Sequence, residues 1–259
     1  MKPEGCLHAV CPDWVRVSRH GGWCFYFPPD FRFRGEAAAS AAAEEKTELL
    51  PGKRNAHTHL YHMTPGGGAP EFLIKEYRYE RLGRRLLHHR RYGRREFIAH
   101  LAALRLGFHV PRLFAYFEKS FCGLVSRSGI IMEYLSGFRC VPENRPELAA
   151  DIIADCFEKG LFYADLNMQN IGTVPGDPQP YLIDFEQSGV TEKRSYRNLL
   201  GCVESLLIRP GTGPDGADRL FRALSERLPE MDPVRLRKDA EALGEMHMHA
   251  RRKFVMGDR

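Results

Sequence analysis

Asp165, Asn170 and Asp184 form an ordered set: an aspartate, an amide five residues later and a second aspartate fourteen residues beyond that. They lie in Tyr163-Ala164-Asp165-Leu166-Asn167-Met168-Gln169-Asn170 and in Tyr181-Leu182-Ile183-Asp184-Phe185. Amide and carboxylate oxygens suit magnesium, which takes few protein ligands and completes its shell with phosphate and water. An aspartate on a polar loop nearby can receive the proton of an acceptor hydroxyl. This is the order in which phosphoryl transfer from ATP is organised, with Asp165 facing the acceptor and Asn170 and Asp184 each holding metal. An ordinary Asp/Asn-rich turn is the alternative for the loop alone. Asp184 between Ile183 and Phe185 argues for the chemistry.

Lys75 ends the strand-like run Phe72-Leu73-Ile74, whose alternation can direct one ammonium toward the α- and β-phosphates of a nucleotide. Glu96 follows on the next helical segment, where an ion pair with Lys75 is expected. Glu76 and Glu80 are closer in sequence, but adjacent strand residues point to opposite faces.

These groups need a framework. Segments 46–50, 57–63 and 71–77 read as three strands, separated by Pro51-Gly52-Lys53-Arg54-Asn55 and Pro65-Gly66-Gly67-Gly68. A helix over 94–106 places Phe97, Leu101 and Leu104 on one face and stops at Gly107, and Pro111 prevents its resumption. Segments 110–117 and 129–135 add two strands. A helix opens at Pro146, carries the stripe Leu148, Ile152, Cys156 and Phe157, and closes at Gly160, leading directly to Asp165. Strands 171–174 and 181–185 flank a Pro-Gly-Asp-Pro turn, so a hairpin joins Asn170 to Asp184. Helices follow over 196–208, 217–228 and 233–254, the last with Asp232 as N-cap. Ahead of all this, 14–27 reads as a hairpin turning at Gly21-Gly22, and the alanine-rich run 36–44 as a short helix or linker.

With 259 residues and 43% apolar composition, the chain can bury a substantial core. No apolar run reaches membrane-spanning length, and Met1-Lys2-Pro3-Glu4-Gly5-Cys6 lacks a signal-peptide pattern, so a cytoplasmic location is expected. Seven cysteines without a Cys-x-x-Cys pair read as reduced thiols. The net charge of +5 is concentrated: Arg81, Arg84, Arg85, Arg90, Arg91, Arg94 and Arg95 share one segment. It either attracts an anionic glycolipid or membrane surface or is a solvated face; Gly83 and Gly93 interrupt a continuous basic helix, which disfavours nucleic acid. His57 and His59, with His62 nearby, and separately Cys6, His8 and Cys11, supply incomplete metal-ligand sets.

These residues resemble the protein-kinase-like superfamily, and 75–208 is similar to the lipopolysaccharide kinase (Kdo/WaaP) family. The resemblance rests on Leu73-Ile74-Lys75, on Arg95-Glu96-Phe97 leading to Gly107-Phe108-His109-Val110-Pro111, on the two aspartate segments and on Arg197-Asn198-Leu199-Leu200. It implies an α+β, bilobal protein-kinase-like fold, with an N-terminal hairpin and linker over 1–45, a small antiparallel-sheet N-lobe over 46–135 and a mainly helical C-lobe over 136–259. It further implies ATP and Mg2+ as cofactors and transfer of phosphate to a Kdo or heptose hydroxyl of the lipopolysaccharide inner core. The acceptor would be the core glycolipid, met at the inner face of the cytoplasmic membrane. Lys75, Glu96, Gly52 and Glu133 are then the nucleotide-site residues, Asn170 and Asp184 the metal ligands, and Asp165 the catalytic residue.

Departures from ordinary protein kinases leave rivals open. Tyr163-Ala164 replaces His-Arg before Asp165, Glu186 replaces the glycine after Asp-Phe, and one glycine, Gly52, stands where a glycine-rich loop is usual. Without the arginine, an activation-loop phosphate loses its partner, which fits a constitutively competent sugar kinase. A small-molecule or protein kinase of the same fold, and a noncatalytic pseudokinase docking at the membrane through its arginines, are the alternatives.

Overall fold

A computed structural model of the chain describes residues 13–18, 22–28, 48–49, 58–63, 71–78, 92–122, 124–142, 145–163, 165–186, 188–208 and 213–257. Gly52, Lys53, Arg54, His57, Glu80, the linker 36–44, Cys6, His8, Cys11 and the arginines from 81 to 91 lie outside the described residues. The chain divides into two compact units. The first comprises Met1–Leu101 and Val110–Ser136, the second Ala102–His109 and Gly137–Arg259.

Unit 1 is built on one antiparallel sheet of seven strands. In chain order these are β1 (Val15–Ser18), β2 (Trp23–Phe27), β3 (Glu48–Leu49), β4 (Thr58–Met63), β5 (Phe72–Arg78), β6 (Leu113–Phe121) and β7 (Leu124–Glu133). Their spatial order is β1-β2-β6-β7-β5-β4-β3. The N-terminal hairpin is thus part of the sheet, with Trp23 opposite Lys119 and Tyr26 opposite Tyr116. Its composition explains why: every residue of β2 is buried, so both faces must be covered.

Strand alternation produces two apolar layers. Trp23, Phe25, Phe27, Phe72, Ile74, Phe117 and Ile131 pack together in one, while Tyr26, Tyr116, Ile130 and Met132 pack with Phe97 and Leu101 of helix α1 (Tyr92–Arg105) in the other. Leu104 departs from the expected stripe and is 43% exposed, whereas Ala103 is fully buried. Periodicity marks the apolar face of a helix but not how far its neighbour extends along it. β6 and β7 are also longer than their apolar runs, since Glu118 pairs with Ser128 and Lys119 with Arg127. Backbone pairing continues there through polar side chains that give no hydrophobic signal.

Unit 2 carries four helices among the described residues, α2 (Pro146–Lys159), α3 (Tyr196–Leu207), α4 (Pro214–Arg227) and α5 (Pro233–Gly257). Pro146 occupies the first turn of α2, and Gly160 caps it in the left-handed region at φ 79°. Asp232 Oδ1 caps α5 by accepting from the backbone N–H of Val234 and Arg235 at 2.9 and 3.2 Å. Exposed ion pairs join α2 to α4, Asp151 to Arg227 at 3.0 Å and Glu147 to Arg219 at 2.7 Å. Among the described residues, no helix is long and apolar enough to cross a membrane.

His100 on α1 is buried, with Nε2 2.7 Å from the carbonyl oxygen of Pro111. Burial, aided by the positive Lys75 and opposed by the Pro111 hydrogen bond, lowers its pKa from 6.5 to about 4. The unfolded chain therefore takes up this proton first. The group's stabilisation is complete above pH 6.5 and is lost as the pH falls toward 4. Denaturant unfolding should show a loss on the order of 3 kcal/mol across that window from this group. His100→Gln, which keeps an N–H donor for Pro111, should flatten the profile; equal acid sensitivity in both proteins would contradict the assignment.

Candidate active site

In unit 1, β5 carries Lys75 between Leu60 of β4 and Ile130 of β7. Phe72 and Ile74 join the aromatic layer, so alternation turns Lys75 toward the helix-bearing face. There its Nζ donates to Glu96 Oε1 at 2.9 Å, with the two side chains only 8% and 1% exposed. Tyr77, two residues along the same face, donates its hydroxyl to Glu96 Oε2 at 2.5 Å. The ammonium and carboxylate are each compensated, which a buried charge requires. Glu76 points the other way, to Arg127 and to Arg78 at 3.2 Å. The close approach of strands here also depends on Gly129, where a Cβ would lie 2.3 Å from the Lys75 carbonyl oxygen. Glu133 ends β7, and its carboxylate accepts the Arg112 backbone N–H at 3.1 Å.

Unit 2 brings Asp165, Asn170 and Asp184 to one end of a hairpin. Strands β10 (Ile171–Val174) and β11 (Asp177–Leu182) pair with Ile171 opposite Leu182, and β8 (Arg139–Cys140) pairs along β10. Beyond the ladder, Ile183 N–H donates to the Asn170 carbonyl at 3.0 Å. Asn170 therefore stands across from the residue preceding Asp184. A second pairing ties the flanks: β9 (Leu161–Phe162), which leads into the loop, pairs with β12 (Gly189–Val190), which follows Asp184. The loop itself is organised by Asn167, whose Oδ1 accepts the backbone N–H of Gln169 and Asn170 ahead of the 3-10 turn Met168–Asn170. Asn170 Nδ2 donates to the Asp165 carbonyl at 2.9 Å and lies 3.4 Å from Asp165 Oδ2. Asp184 is held at φ 67°, the left-handed region that aspartate tolerates better than most residues.

Tyr163, which the sequence offers only as a departure from a motif, ties these segments together. Its buried hydroxyl donates to the Ile183 carbonyl and lies 3.4 Å from that of Asn170. Its ring stacks on Phe185 with centroids 4.9 Å apart and planes 23° apart. Burial first, then the nearby carboxylates of Asp184 and Asp165, push the phenol pKa well above its ordinary value, so it remains a donor. The backbone of Tyr163 is fixed in turn, its carbonyl accepting from Cys202 Sγ of α3 at 3.8 Å.

The donor set fits magnesium. With Nδ2 committed to Asp165, the Asn170 amide has its oxygen for a metal, and Asp184 supplies a carboxylate; one of each suffices where phosphate and water complete the shell. No group of three His, Cys, Asp or Glu suited to a metal occurs among the described residues. His62 instead contacts Glu71 at 3.3 Å and stacks on Tyr134. Of the arginine cluster, Arg95 is exposed and Arg94 half-buried.

No family model and no curated protein matches the sequence. Solved structures do. WaaP in complex with acyl carrier protein is similar over 86% of this chain and 98% of that one, with a TM-score of 0.59 at 14% identity. PK-1, the Cydia pomonella granulovirus kinase, aligns over 61% of this chain and 60% of its own, with a TM-score of 0.40 at 15% identity. The chain therefore has the α+β, protein-kinase-like fold of WaaP, with its antiparallel sheet in unit 1 and its helices mainly in unit 2.

The pairing in unit 1 can be tested without any activity. Glu96→Ala leaves the Lys75 ammonium buried opposite a void and should cost about 3–5 kcal/mol of unfolding free energy. Glu96→Gln, which keeps hydrogen-bonding atoms, should cost less. Equal and small losses in denaturant titrations of the two variants would show that the pair is not what holds this face.

Proposed function

We propose that the chain is an ATP- and magnesium-dependent kinase that phosphorylates a Kdo or heptose hydroxyl of the lipopolysaccharide inner core. The observation that carries the reading is the hairpin end in unit 2, where Asn170 Nδ2 donates to the Asp165 carbonyl and Ile183 N–H, beside Asp184, donates to the Asn170 carbonyl, in a chain with the fold of WaaP. In this reading the N-lobe, 46–135, grips the nucleotide and the C-lobe, 136–259, handles metal and acceptor. Lys75, oriented by Glu96, engages the α- and β-phosphates, and Gly52 and Glu133 complete the nucleotide contacts. Asn170 and Asp184 hold magnesium, which when bound would offset the negative charge of the triphosphate. Asp165 accepts a hydrogen bond from the sugar hydroxyl, aligns its oxygen with the γ-phosphorus and takes up its proton.

Alignment and fixed charge account for most of the acceleration, and good alignment alone can supply about 7–11 kcal/mol. The reading assigns the chain to the lipopolysaccharide kinase family, and its acceptor to the inner face of the cytoplasmic membrane. There the arginines between 81 and 95 serve as a peripheral dock for anionic glycolipid.

Full-length protein incubated with γ-labelled ATP, Mg2+ and purified core glycolipid should label the glycolipid, with the phosphate located by mass spectrometry. Asp165→Asn should lower turnover by about 10²- to 10⁴-fold while ATP affinity stays near wild type. Undiminished turnover in that variant would reject Asp165 as the acceptor-facing group. Label on a protein or small molecule instead would reassign the acceptor, and nucleotide binding without transfer to any of them would identify a pseudokinase.

A further inference from the structure

We propose that Asn167 is a positioning residue that sets the direction in which Asp165 points, a role that rests on the kinase reading above. Asn167 is extended, at φ −151° and ψ 162°, and uses both ends of its amide. Oδ1 accepts from Gln169 N–H at 2.9 Å and from Asn170 N–H at 3.1 Å. Nδ2 donates to the Asp165 carbonyl at 3.0 Å, the same oxygen that receives Asn170 Nδ2 at 2.9 Å.

A carbonyl oxygen has two lone pairs, and two amide groups converge on this one. The peptide following Asp165 is thereby pinned in plane. The Asp165 side chain leaves from a backbone fixed in this way, and its Oδ2 lies 3.4 Å from Asn170 Nδ2. Within the loop Asn170 N–H also donates to the Asn167 carbonyl at 3.0 Å, and from outside it Ile183 N–H donates to the Asn170 carbonyl at 3.0 Å. Asn167 thus links the start of the loop to the turn that presents Asn170, so the acceptor-facing and metal-facing groups are set by one side chain. Ala164 precedes Asp165 where an arginine would admit an external phosphate, and Asn167 provides a brace from within.

Two substitutions separate this role from ordinary loop stability. Asn167→Ser retains an oxygen that can cap Gln169 and Asn170 but lacks the reach to the Asp165 carbonyl; Asn167→Ala loses both functions. Transfer from γ-labelled ATP is measured with purified core glycolipid and with water as acceptors, reporting kcat and the ATP KM separately alongside the melting midpoint. The Ser variant is expected to lose about tenfold or more in kcat, as misalignment by a fraction of an ångström produces, with KM and midpoint unchanged. The Ala variant is expected to lose kcat and also to melt earlier. An active wild type with an equally active Ser variant, or with the loss expressed in the ATP KM, overturns the positioning role alone. A wild type that transfers to neither acceptor overturns the kinase reading and this inference with it.

Discussion

The bond from Ile183 N–H to the Asn170 carbonyl is the constraint on which unit 2 turns. It extends the β10–β11 ladder by one step beyond the Ile171–Leu182 pair and leaves Asn170 and Asp184 at the same end. Tyr163 closes the arrangement from below, reaching the Ile183 carbonyl and stacking on Phe185. Pairing of β9 with β12 does the same at the outer flanks. The segments that carry Asp165, Asn170 and Asp184 are thus tied together by hydrogen bonds to backbone carbonyls. Hydrogen bonds of this kind contribute only about 0.5–1.5 kcal/mol each, so rigidity comes from their number and from the buried aromatic stack beneath them.

Unit 1 meets a different difficulty. A lysine ammonium sits on a strand that is buried on both faces. The sheet resolves this by reserving one face of β5 for Lys75 and Tyr77, which share the two oxygens of Glu96. The opposite face places Glu76 among Arg78 and Arg127. Two charge clusters on alternate sides of one strand need strict register. Gly129 protects that register because any larger residue would collide with the Lys75 carbonyl.

Much of this framework is legible in the residues. The alternation of Phe72 to Tyr77, Pro146 and Gly160 at the ends of α2, and Asp232 at the start of α5 each carry a local physical signal. What is not legible depends on partners distant in sequence. Nothing in Glu118, Lys119 or Ser128 announces a ladder, and Leu104 has the right period yet stays 43% exposed. At the site, the spacing of Asp165, Asn170 and Asp184 is visible as a pattern, whereas the bonds that bring them together are not. Tyr163 finds its partner twenty residues away, and the positive φ of Asp184 follows from tertiary packing, since aspartate alone does not demand it.

The all-buried β2 bears on how the protein can be trimmed. Cutting the chain after residue 28 would look like removing a leader, yet it would strip Phe25 and Phe27 from one apolar layer and Tyr26 from the other. It would also leave β6 as a raw margin with unpaired amides beside Tyr116 and Phe117, the kind of surface that recruits foreign strands. Such a fragment would be expected to precipitate, and its failure would speak to solubility while saying nothing about catalysis.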